Sequence, residues 1–158
     1  MNGVLRLTGL PQLYSFYRHF AFNMPRATTG GGILLLLGVG VVHLYLLLTT
    51  PVLPGYFAAY LALVFAAALA ASAGMLVRAK AAVIRTGWAL GALTATSAFA
   101  MYIVSRTIGL PGLELYVARW DYALGTFTLL LDVGFVGLYL TVLTGVNVAW
   151  PQWRYWRD

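Results

Sequence analysis

Apolar residues gather into four windows along the chain, at 33–50, 56–77, 87–105 and 122–149. Each is as long as, or longer than, the stretch of about 17–25 residues that a helix needs to cross a bilayer. Helix-breaking or charged residues punctuate them. Pro51 closes the first, and Pro54 and Gly55 open the second. Arg78 closes the second, Arg85 and Arg106 bound the third, and Asp121 and Pro151 bound the fourth. The fourth is long enough to tilt or to run past the bilayer. Short connections make successive spans antiparallel neighbours, so the pattern predicts an all-α integral membrane four-helix bundle. Gly30-Gly-Gly32 precedes the first span without the strand or Lys–Ser/Thr pair of a phosphate loop. It is therefore expected to be a flexible lead-in. The chain divides into an N-terminal segment 1–30, a membrane domain 31–150 and a tail 151–158.

Charge turns the count of spans into an orientation. The N-terminal segment carries Arg6, Arg18 and Arg26, the turn after the second span carries Arg78, Lys80 and Arg85, and the tail carries Arg154 and Arg157. These eight fall on one side of the membrane, and Arg106 and Arg119 fall on the other. Cytoplasmic loops collect Lys and Arg, so both termini are expected in the cytoplasm, in the inner membrane of a bacterial cell. Trp88, Trp150, Trp153 and Trp156 are expected in the aromatic belt at the inner boundary, and Trp120 in that at the outer one. Leu10, Leu13, Phe16, Tyr17 and Phe20 recur at helical spacing with polar residues between them, which predicts a short helix lying in the inner interface. The tail alternates aromatic and basic residues, as an interfacial anchor or a docking segment would.

Composition agrees with a membrane solvent. Hydrophobic residues make up 61% of the 158, and charged residues only 9%, where soluble domains carry about 25%. The net charge of +6 is read as a complement to anionic lipid headgroups rather than to nucleic acid. With no cysteine, thiol catalysis, thiolate metal sites and disulfides are excluded. The first apolar run has no small-residue cleavage pattern after it and is expected to be a retained span.

Helix contacts in lipid favour small residues, which let backbones approach. Stripes four residues apart are expected at Ala62, Ala66, Ala70 and Gly74 in the second span and at Gly87, Gly91 and Ala95 in the third. Further candidates are Gly137, Thr141 and Gly145 in the fourth, and Gly38 and Gly40 in the first.

Few polar groups lie at membrane depth, and those that do are candidates for function. Asp132 stands ten residues in from Tyr122, or about 15 Å, and His43 seven residues in from Thr50, or about 10 Å. The two therefore lie within about 5 Å of one another in depth. If the first and fourth spans are neighbours, the pair is expected to face the interior and interact, directly or through water. Thr128 lies one turn from Asp132 as a local donor. A lone histidine in the spans admits a single-His chlorin or haem, but no bis-His pair and no metal site of three or four ligands. The connection Arg106–Asp121 is the one loop with room to fold. Glu114–Arg119 and Asp121–Arg106 pairs are expected to pin it, with Arg106 snorkelling to the interface.

Ser105-Arg-Thr-Ile-Gly-Leu-Pro-Gly112 resembles a run found in small four-span bacterial membrane proteins. Those often carry a histidine in the first span, as His43 is here. They usually carry a glutamate in the last, where this chain has Asp132, and their N-terminal segment is shorter. The resemblance implies the four-span topology and the His/acid pairing. Two functions remain open from the sequence. One is a non-catalytic accessory or assembly subunit of a larger respiratory or photosynthetic membrane complex, docked to other membrane subunits. The other is a self-contained module that binds a small hydrophobic ligand, a pigment, a quinone or protons at His43 and Asp132. No nucleophile–base pairing is evident, so catalysis is not the expectation.

Overall fold

The computed structural model describes residues 24–77 and 81–149. Expectations for the N-terminal interfacial helix, for Arg78 and Lys80, and for the tail from Trp150 lie outside these residues. Four long helices make up the described chain: α1 (Pro25–Thr49), α2 (Gly55–Leu76), α3 (Ala81–Thr107) and α4 (Ala123–Leu143). A single 3-10 turn at Glu114–Tyr116 lies in the loop between α3 and α4. At about 1.5 Å per residue, each helix exceeds the roughly 30 Å hydrocarbon core. All four are apolar enough to cross a membrane.

The helices close into a ring. α1 packs on α2 and α4, and α3 packs on the same two, so the first and last helices are neighbours. The core is a narrow column that includes Leu36, Met75, Trp88, Ala95 and Phe135. Leu34, Leu63, Leu93 and Leu130 show that every helix also turns an apolar face outward. Water would reject such a surface, whereas lipid tails are as apolar as leucine.

Three boundaries differ from the sequence expectation. α1 starts at Pro25, eight residues early, because proline suits the first helical position and Thr28 bonds back to the Met24 carbonyl. The glycine run is therefore helical. A Cβ at Gly32 would stand 2.9 Å from the Trp88 ring and 3.0 Å from Met75 Cε. Close packing, not flexibility, explains that glycine. α3 begins at Ala81, a turn and a half before Gly87. α4 stops at Leu143, well short of residue 149, where Gly145 takes a left-handed φ of +75°. Asn147 then folds back, its amide and side chain both bonding Thr141.

Two further expectations are corrected. Trp88 does not face outward as a belt residue would: it is fully buried, stacked on Phe135 at 5.6 Å and on Tyr139 at 6.4 Å. The small-residue stripe on the third span does pack inward, but Ala62, Ala66 and Ala70 on α2 face outward. The inner face of α2 is instead Leu61, Val64, Ala68, Ala71 and Met75. Gly137 on α4 likewise meets nothing. In lipid an outward alanine carries no penalty, so small residues alone do not reveal which face packs.

Candidate functional site

Both polar residues at depth are buried, Asp132 to 1% exposure and His43 to 6%. The His43 Nδ1–H donates to the Val39 carbonyl at 2.8 Å, one turn back on α1. A carbonyl only accepts, so this bond fixes the proton on Nδ1 and leaves Nε2 as the acceptor in the neutral ring. Neither carboxyl oxygen of Asp132 has a hydrogen-bond partner among the described residues, so no hydrogen bond joins the pair. Thr128 does not serve Asp132 either. Its hydroxyl bonds Leu124 O at 2.9 Å, the local helical back-bond open to any threonine.

Tyr60 is an aromatic neighbour of His43. Its ring lies edge-on to His43 at 6.0 Å and is stacked on Phe57 at 5.6 Å. Sequence reading passed over Tyr60, because a tyrosine in an apolar span is an unremarked core residue until its neighbours are known.

Between His43 and the α3–α4 loop the four helices leave a cavity of about 140 Å³. A space of that size holds one small aromatic ring or a few waters. It is too small for a four-pyrrole macrocycle, which argues against the single-His chlorin or haem. Its polar lining includes His43, Thr50, Tyr60, Tyr102, Ser105, Arg106, Tyr116, Tyr122 and Thr128, and its apolar lining includes Leu46, Leu53, Phe57, Leu61, Ala98, Met101 and Leu113. Asp132 is not on the wall but lies one turn further along α4 from Thr128.

Arg106 does not snorkel. It is 6% exposed, and its guanidinium carbon lies 4.8 Å from the Tyr102 ring centre, 5.1 Å from Tyr116 and 5.9 Å from Tyr122. Ring faces attract cations at such distances. One guanidinium N–H reaches the Tyr116 carbonyl at 3.3 Å. The loop is folded to permit this: Ala118 N–H bonds the Arg106 carbonyl at 2.9 Å, which draws the chain back over the end of α3. Ala118 adopts a φ of +61° there.

The expected ion pairs in this loop are absent among the described residues. The Glu114 carboxylate instead accepts the Gly112 amide at 2.9 Å. Arg119 and Asp121 are exposed. Tyr56 of α2 donates to the Pro111 carbonyl at 2.6 Å and ties the loop across the bundle end. Two atoms of cavity-lining residues remain buried without partners: Arg106 Nε and the Tyr102 hydroxyl. Tyr102 reaches its place because Gly125 of α4 offers no side chain, and a Cβ there would fall on the ring. The tyrosines and Gly125 were not singled out from the sequence. Their one signal was the presence of Tyr102, Tyr116 and Tyr122 on either side of Arg106 along the chain.

Among the described residues no three His, Cys, Asp or Glu side chains gather to hold a metal ion. Comparison with protein-family models, with curated proteins and with solved structures finds no match for this chain.

Proposed function

We propose that this protein is a membrane module that binds a small, largely apolar guest of about the size of one aromatic ring. The cavity between His43 and the α3–α4 loop carries the reading, because it joins a largely apolar wall to a buried arginine and several tyrosines. Binding sites in helical bundles take this form, a mostly apolar pocket with a few convergent polar groups. The eight-to-two distribution of Lys and Arg supports an orientation with the loop end on the outer side of the cytoplasmic membrane, and on that reading the guest enters from the outer leaflet or from outside the cell. The accessory-subunit reading draws on the scarcity of polar groups at depth and on the aromatic–basic tail. A lined cavity favours the binding reading over it.

The test is a calorimetric titration of the purified full chain in a mild non-ionic detergent. A ring-sized probe, neutral benzyl alcohol or anionic benzoate, is expected to bind saturably. Ala98→Leu, which extends a cavity-lining side chain into the space, is expected to abolish that binding while the protein still unfolds cooperatively. Heat that tracks only partition into detergent, for both probes and equally in the variant, would end the proposal.

A further inference from the structure

The cavity has one cationic end and no acidic wall. Arg106 is buried, permanently charged and without an ionic partner among the described residues. The acidic residues of the neighbouring loop, Glu114 and Asp121, are exposed and do not line the cavity, and Asp132 is off its wall. A buried cation without a counter-charge is costly. Three tyrosine faces and one carbonyl offset part of that cost but bring no negative charge to the guanidinium.

We infer that the guest is a small organic anion: a carboxylate carried on a ring-sized apolar body, with its carboxylate against Arg106 and Tyr102. The inference rests on the reading that the cavity holds a guest. A carboxylate supplies what the site lacks. It brings the missing negative charge and accepts charge-assisted N–H bonds from the guanidinium. It also accepts from the tyrosine hydroxyl. A neutral ketone or alcohol satisfies a donor but leaves the charge uncompensated. The rest of the wall, including Leu46, Phe57, Leu61, Ala98 and Met101, suits the apolar body.

Benzoate and benzyl alcohol share a ring and differ in the acid group, so the same titration of the purified full chain at neutral pH decides the matter. Benzoate is expected to bind about tenfold or more tighter, the effect of one or two charge-assisted bonds. Tyr102→Phe, which keeps the ring against Gly125, should weaken benzoate severalfold, and Arg106→Lys should weaken it further. Equal affinity for the two probes would overturn the anion inference and leave the cavity reading standing. Binding of neither would overturn both. A preference for benzoate that survives both substitutions would place the anion elsewhere and overturn the inference. Because the two probes are compared on the unaltered protein, the test holds even if Arg106→Lys fails to fold.

Discussion

Single residues set the chemistry of the loop end, and Glu114 shows how. Its carboxylate lies below the ordinary range because its own backbone N–H and that of Gly112 donate to it. With the folded pKa lowered, the contribution to loop order is present above the unfolded value and is lost as pH falls through the lowered one. Protection of the Gly112 amide from hydrogen exchange should therefore drop below the ordinary glutamate value of about 4.3, and Glu114→Gln should remove that pH dependence. The same profile in both proteins would show that the carboxylate is not the cause. The residue scale also shows where sequence reading stopped. Depth arithmetic found His43 and Asp132, because polar groups are conspicuous among apolar neighbours. It did not find Tyr60 beside His43, which depends on how two helices face one another, nor that Nδ1 of His43 is committed to Val39, which depends on the rotamer of the ring.

At the scale of elements, α2 and α3 meet backbone to backbone at Gly74 and Gly87. A Cβ at Gly87 would stand 2.9 Å from the Gly74 carbonyl carbon and the Met75 nitrogen, and 3.0 Å from the Ala71 oxygen. These are backbone atoms, which cannot turn aside as a side chain can. Gly87→Ala should therefore destabilise the bundle by about 1–3 kcal/mol, the cost of overpacking a fitted contact. Gly137→Ala, where nothing stands within 4 Å, should be neutral or stabilise by up to about 1 kcal/mol through helix propensity. Unfolding in detergent measures both, and equal effects would discount the close approach. The third-span stripe containing Gly87 was legible in the sequence and the second-span face was not. In the second span alanine is so frequent that several faces look equally small, and lipid does not select among them.

For the whole molecule, the ring order of the helices brings α1 beside α4, and this places His43, Asp132, Tyr60 and the cavity in one half of the bundle. The orientation of that half is open to direct test, since the chain has no cysteine of its own. Leu115 in the α3–α4 loop and Val77 at the opposite end of α2 are exposed. In intact cells a membrane-impermeant maleimide should label Leu115→Cys, and should label Val77→Cys only after permeabilisation. The reverse pattern would invert the topology. The sequence by itself determined the solvent, the number of spans and the residues most costly to bury, because each follows from one-dimensional counts of apolar length and charge. Tertiary structure alone decided which small residues pack and where α4 ends. It also decided that Arg106 is enclosed by tyrosines rather than drawn to the interface, and that a cavity lies beside His43. The physical reason lies in the solvent. Lipid imposes almost no inside-or-outside pattern on an apolar helix, so the packing faces, and the site they enclose, are fixed only when four helices fit together.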